Sequence, residues 1–336
     1  MIDSEPAAPR SRRAVTRSDV ARYAGVSDAV VSYVLNAGSK PVAAATRERV
    51  LNAVAALSYR PNAAARALSR GATDIVGMIV PDSRNPYFAE LVHAVDRATQ
   101  ARGLTLLVIN SDNRRDAGTD HISSLASRQL DGLIVAETLT TAEHAIVSSL
   151  AIPVVLINQF QGAGDVPSIG VDYYLGARTA VDHLIGHGHS RIAFIGGEPG
   201  VDRRERGWAD ALSAADLPLG PRYRVDFSLA GGYRAALELV DDARASTAVF
   251  VASDQLAIGA LAALHERGRL IPEQIAVVAF DGSAESAYAW PPLTTVAQPM
   301  EGMAQEAVRR LLGDTTAPAF AAFPTSLIVR RSCGCE

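Results

Sequence analysis

Two regimes of apolar patterning divide this 336-residue chain near Thr73. Beyond that point the apolar residues come in continuous, strand-sized runs: IVGMIV, LTLLVIN, DGLIVA, PVVLIN, RIAFIGG, TAVFVAS and IAVVAFDG. Runs without alternation belong to strands covered on both faces, as in parallel sheets. Most are separated by stretches with helical spacing, among them 87–101, 173–186, 204–215, 233–242 and 254–267. Strands alternating with helices over this length predict an α/β core of two doubly wound parallel-sheet lobes rather than one sheet. Ligands in such folds sit at the carboxyl ends of the strands. Those ends carry Asp82, Asn110, Asn158, Ser253, Asp254 and Asp281.

Before residue 73 the pattern is helical throughout. Residues 16–36, TRSDVARYAGVSDAVVSYVLN, read as two short helices, 18–23 and 28–35, joined by a tight turn. Gly25 permits a left-handed backbone in that turn. Ser27 can cap the second helix. Ala21 at the crossing, Gly25 in the turn and Val31 facing back are what a helix-turn-helix requires, and its second helix enters the DNA major groove. A helical hairpin with no nucleic-acid role is the plainer alternative. A third helix follows in AAATRERVLNAVAALSY, where Val50, Val54 and Leu57, with Leu51 beside them, form one packing face. It lacks a capping residue around Ala43, an expected cost of about 1 kcal/mol. After the break at Tyr59-Arg60-Pro61-Asn62, NAAARALSRG is too short to hold a helix alone in water. It is a plain linker or one that orders on binding. Residues 1–14 read as a disordered arm.

Charge sharpens this division. Residues 1–71 hold eleven Lys and Arg against five Asp and Glu, a net of +6, which leaves −10 for the rest of a chain of net charge −4. A basic head on an acidic body is the electrostatic footprint of a phosphate-binding module. No apolar run is long enough for a membrane span, and MIDSEPAAPRSRR carries no apolar signal-peptide core, so a cytoplasmic protein is expected. The two cysteines, Cys333 and Cys335, allow no disulfide framework in the body. With no Cys or His near them in sequence they read as free tail thiols. His183, His187 and His189 read as a helix end closed by Gly188 rather than as a metal cluster. No nucleophile elbow, phosphate loop or zinc-protease motif occurs, so neither an enzyme nor a cofactor or metal is expected.

Several longer segments carry a resemblance. T-x-x-D-V-A-x-x-A-G-V-S at 16–27, VSYVLN at 31–36, TRERV at 46–50, YRPNAAARAL at 59–68, VPDSRNPYFAEL at 80–91, HLIGHGHSRIAFIGG at 183–197, FDGSAESAYAWPPLTTVAQP at 280–299 and the closing LIVRRS resemble the lactose-repressor (LacI) family of transcription regulators. The resemblance covers nearly the whole chain. It implies an all-α helix-turn-helix head (15–60), a hinge helix (61–72) and a periplasmic-binding-protein-like core (73–332). It divides that core into a first lobe of about 73–171 plus 300–330 and a second of about 172–299. It implies that Thr16, Ser27, Asp28, Ala29, Ser32, Tyr33, Asn36, Tyr59, Asn62, Arg66 and Leu68 contact DNA, with Leu68 as a minor-groove wedge. It implies effector contacts from Asp82, Tyr87, Phe88, Asn158, Arg204, Phe227, Asp254, Asp281 and Gln298. The implied partners are a pseudo-palindromic operator, a second copy of the chain, and a small hydroxylated effector. The effector is a sugar or sugar derivative first and a purine or nucleoside second. For Asp254 the competing role is N-capping the helix that follows. Tyr33 and Asp28 depart from the family's reading helix. A tyrosine cannot make the bidentate arginine–guanine contact, and Asp28 suits a helix N-terminus better than a phosphate surface. A solute-binding protein without a DNA role is the alternative, and it would leave the basic head unexplained.

Overall fold

The computed structural model describes residues 15–35, 41–60, 71–111, 122, 129–160, 162, 164–197, 203–242, 246–313 and 319–335. It separates into two compact units, Met1–Thr73 and Asp74–Glu336.

The first unit contains α1 (Arg17–Ala24), α2 (Asp28–Leu35) and α3 (Ala44–Ala56). α1 opens on a capping box: Thr16 Oγ1 accepts from the Asp19 N–H, and the Asp19 carboxylate accepts from the Thr16 N–H at 2.9 Å. It closes on Gly25 at φ 65°, the left-handed conformation predicted for the turn. Ser27 Oγ accepts from the Val30 N–H at 3.4 Å and so opens α2. Val20, Ala21, Ala24, Val31, Val34, Val50 and Ala53 form the head's core, with Val54, Leu57 and Tyr59 packed at its edge. Leu51 is 46% exposed and does not join that face. One step beyond Val50 is about 100° around a helix, and Ala53 fills the inward position instead.

In the second unit β1 (Ile75–Val80), β2 (Thr105–Asn110), β3 (Gly132–Val135), β4 (Val154–Leu156), β5 (Ser168–Val171) and β11 (Phe320–Phe323) form one sheet, ordered β11-β5-β4-β3-β1-β2. Every pair in it is parallel. α4 (Pro86–Gln100), α5 (Thr141–Ser149) and α10 (Met300–Leu311) belong to this lobe. The other sheet is β12-β10-β9-β8-β6-β7. It comprises β6 (Ile192–Gly196), β7 (Arg222–Arg224), β8 (Ala248–Val251), β9 (Ala276–Asp281), β10 (Thr294–Ala297) and β12 (Ser326–Ile328). With it go α6 (Tyr173–Gly186), α7 (Arg203–Ala214), α8 (Leu229–Asp241) and α9 (Asp254–Glu266). β3, β6, β8 and β9 are buried at every position, as continuous apolar runs require.

The chain crosses between sheets three times, after β5, β10 and β11. The last crossing corrects the expected lobe boundary. β12 pairs antiparallel with β10, Thr295 opposite Ile328, so the tail from Ser326 onward lies in the second lobe and not in the first. β5, β7, β10, β11 and β12 fall outside the seven apolar runs. Each is only three or four residues long, and Gly, Ser, Thr or Arg interrupts the apolar signal in several of them.

Ala43 is the N-cap of α3, and its side chain offers the helix's free N–H groups no acceptor, as the sequence implied. Ala43→Ser supplies a hydroxyl acceptor there and should stabilise the head by about 1 kcal/mol. The measurement is the head's unfolding transition in urea. An unchanged midpoint would show that α3's N-terminus is already satisfied.

Candidate functional site

The candidate cleft residues come together where the two sheets meet. Tyr87, in the first turn of α4, is 4% exposed. Asn85 caps that helix and accepts from the Tyr87 N–H at 3.1 Å, which fixes where the ring enters. The Tyr87 hydroxyl lies 3.1 Å from Asn158 Oδ1 and 3.3 Å from Gln298 Oε1. Tyr173, the first residue of α6, converges on the same two oxygens at 2.6 and 3.4 Å. Gln298 Nε2 donates to Asp281 Oδ1 at 3.0 Å. Arg204, 7% exposed at the start of α7, donates to the Ala252 carbonyl at 2.6 Å and has Nη1 3.9 Å from Asp281 Oδ1. Its guanidinium sits 5.1 to 5.2 Å from the ring centroids of Tyr173, Phe227 and Phe280. Such contacts are worth about 0.5–2 kcal/mol each, most when desolvated.

Strain marks this cluster. Asn158 has φ 63°, tolerable for asparagine, and Asp281 has φ 119°, which costs a non-glycine residue on the order of 1–3 kcal/mol. Gly282 follows at φ 78°, where a Cβ would lie 2.5 Å from Ala297 Cα. The bend aims the Asp281 carboxylate at Gln298 and Arg204.

Three further sequence candidates have other partners. Asp82 is held by its neighbour Arg84, whose Nε donates to Oδ1 at 2.9 Å and whose second nitrogen donates to Oδ2 at 3.0 Å. Phe88 packs edge-on against Tyr87 at 5.1 Å. Asp254 is not the N-cap of α9: Ser253 takes that role, its Oγ accepting from the Leu256 N–H at 3.2 Å. The Asp254 carboxylate instead accepts from the Ser283 N–H, the Ser283 hydroxyl and the Thr295 hydroxyl at 2.7, 2.9 and 2.6 Å. Tyr173, Phe280, Ser283 and Thr295 were missed. Tyr173 had one usable signal, its place at the start of a helix just after β5.

In the head, Asp28 and Ala29 are exposed, and Ser32 and Tyr33 are partly so. The Ser18 hydroxyl donates to Asp28 Oδ2 at 2.6 Å, tying α1 to the start of α2. Thr16 is occupied by the capping box, and Tyr59 packs against the head's core. Asn36, Asn62, Arg66 and Leu68 lie outside the described residues. A second cluster, remote in sequence, forms in the second lobe. Cys333 and Cys335 are free thiols, as expected, but the fold brings them against His183 and His187, which are remote in sequence. His189 points elsewhere, its Nδ1 3.0 Å from Thr247 Oγ1.

Comparison with known proteins matches residues 16–62 to a model described as bacterial regulatory proteins, lacI family, and residues 181–333 to a periplasmic binding protein-like domain. An HTH-type transcriptional repressor PurR from Erwinia tasmaniensis is 35% identical over 334 residues, 94% of this chain and 96% of that one. The chain belongs to the lacI family.

It is therefore a DNA-binding transcription regulator with an effector-binding body, not an enzyme. A lac repressor dimer bound to operator and an anti-inducer superposes with TM-score 0.84 at 29% identity, covering 96% of this chain and 99% of that one. A CelR–cellobiose complex superposes with TM-score 0.69 at 32% identity, covering 95% and 99%. Among the described residues of this lacI-family chain no helix is long and apolar enough to cross a membrane.

The buried carboxylates set a pH dependence. Burial pushes Asp254 from the usual 3.8 up to about 6, opposed by its hydrogen bonds from Thr295 and Ser283. Burial, then the Asp254 charge, push Asp281 well above the carboxylate range, with Arg204 opposing. A raised acid binds a proton in the folded state that the unfolded chain has already released. That contribution to stability is full below about pH 4 and is lost as pH rises through about 6. Relative to Asp254→Asn, the wild type should lose about 2–3 kcal/mol across that window. Urea unfolding of both proteins at pH 4, 5, 6 and 7 measures the difference, and parallel curves would contradict it.

Proposed function

We propose that this regulator is a repressor that binds a pseudo-palindromic operator as a homodimer and responds to a sugar-like effector. The observation that carries the effector reading is the network of Tyr87, Asn158, Tyr173, Arg204, Asp281 and Gln298. It combines phenol and amide donors, carboxylate and amide acceptors and aromatic faces, the groups that bond sugar hydroxyls and cover the apolar side of a ring. In the structure these groups bond one another, so a polyhydroxylated ligand would exchange those bonds for its own. The Tyr87–Gln298 contact and the 2.5 Å bond from the Ala284 N–H to Glu90 Oε1 both join the first lobe to the second. An effector that replaces one set of contacts favours one lobe arrangement, and only such differential binding can change operator affinity. Asp254 holds the Ser283 backbone and hydroxyl and the Thr295 hydroxyl beside the cleft. The solved relatives named above carry an anti-inducer in one case and cellobiose in the other.

A thermal-shift screen of sugars, sugar phosphates and purines tests the effector class, because a ligand stabilises the state it binds. The expected result is a rise with a sugar that Asn158→Ala abolishes. A response to purines alone would replace the sugar reading with a nucleobase one.

Tyr33 stands in the reading helix where an arginine would contact guanine, and it cannot form that bidentate bond. Selection of bound sequences from a random library should give different preferred half-sites for wild type and Tyr33→Arg. Identical sites would show that this position does not read bases.

A further inference from the structure

We infer that His183, His187, Cys333 and Cys335 form a structural zinc site in the second lobe. His183 Nε2 lies 3.2 Å from Cys333 Sγ, Cys335 Sγ lies 3.2 Å from His187 Nε2, and Cys335 Sγ lies 3.8 Å from His183 Nε2. All four donor atoms fall within 4.8 Å of one another. Tetrahedral zinc with bonds of about 2.3 Å to sulfur and about 2.0–2.1 Å to nitrogen sets its donors roughly 3.3–3.8 Å apart. The four atoms therefore reach that geometry with side-chain shifts of about 1 Å.

The surrounding structure prepares the set. His183 and His187 are four residues apart at the carboxyl end of α6, so they share one face, and their rings meet edge to face at 4.7 Å. That end of a helix favours a cation. Gly334 separates the two cysteines at φ 97°, a conformation that brings both thiols to one side and that a residue with a side chain rarely adopts. The tail is anchored independently. Ser332 Oγ donates to the Val277 carbonyl at 2.6 Å and accepts from the Thr294 N–H at 2.8 Å. Cys333 is buried, His183 and Cys335 are partly buried and His187 is exposed, so an ion can enter from the surface and lose its water to four protein donors.

Two thiolates and two imidazoles select zinc over magnesium or calcium, and four protein donors describe a closed, structural site. Binding needs no redox step: each thiol gives its proton to solvent, and the two sulfurs and two neutral imidazole nitrogens donate electron pairs to the dication. The site would clamp the carboxyl end of α6 to the tail. Tyr173 lies at the other end of the same helix, about 20 Å away along its axis.

The chain has two cysteines in all, so a thiolate-to-cobalt charge-transfer band can report only this site. Full-length protein, stripped with chelator under reducing conditions, is titrated with cobalt and then with zinc. The expected result is one equivalent per chain, tetrahedral ligand-field bands with thiolate charge transfer, displacement by zinc, and a higher melting temperature with zinc. Cys335→Ser should lose about half the charge-transfer intensity and bind zinc at least tenfold more weakly. His187→Asn should keep the charge transfer and weaken binding similarly. Both positions reach the surface, and circular dichroism verifies that the variants fold. Absence of charge transfer at stoichiometric cobalt would overturn the proposal, as would zinc affinity unchanged in Cys335→Ser.

Discussion

Tyr87 and Gln298 come from different lobes and share a buried hydrogen bond, and the geometry of the cleft depends on that contact. Tyr87 enters through the Asn85 cap of α4. Gln298 sits where the chain leaves β10 to cross into the first lobe. Asn158 and Tyr173 complete the arrangement around the first crossing. A buried phenol or amide without a partner costs about 1–3 kcal/mol, more than its hydrogen bond contributes. These four side chains therefore hold the crossings in register, and any ligand must satisfy the same atoms.

Charge is handled beneath that layer. Asp254 and Asp281 are both buried, and burial together with the Asp254 charge raises the cost of ionising Asp281. Arg204 offsets part of it, and three aromatic rings enclose the guanidinium. Asp254 has exchanged the capping role for three hydrogen bonds that hold the segment after β9 and the strand β10. The strained backbone at Asp281 persists because both flanks are held, Gln298 on one and Asp254 through Ser283 on the other.

α6 links this cleft to the tail. Tyr173 starts the helix at the cleft, and His183 and His187 end it against Cys333 and Cys335. The tail reaches that place because β12 returns to the second sheet, the crossing that the sequence had assigned to the other lobe.

Periodicity by itself determined a great deal here. The seven apolar runs mark seven strands, most of them buried because a strand covered on both faces has no polar alternation to hide it, while β2, at the edge of its sheet, stays largely uncovered. Ala21, Gly25, Ser27 and Val31 marked the head, because helix ends and tight turns are local chemistry. The resemblance pointed to the family and to Tyr87, Asn158, Arg204, Phe227, Asp281 and Gln298, which lie close together in the fold. Tertiary structure decided the rest. It excluded Leu51 from the head's core, withdrew Asp82 into a bond with Arg84, replaced Asp254 by Ser253 as the cap and added Tyr173. Above all it brought His183 and Cys333 together across 150 residues. Spacing along a chain carries no information about such a pair. Only the return of β12 to the second sheet places the tail against α6.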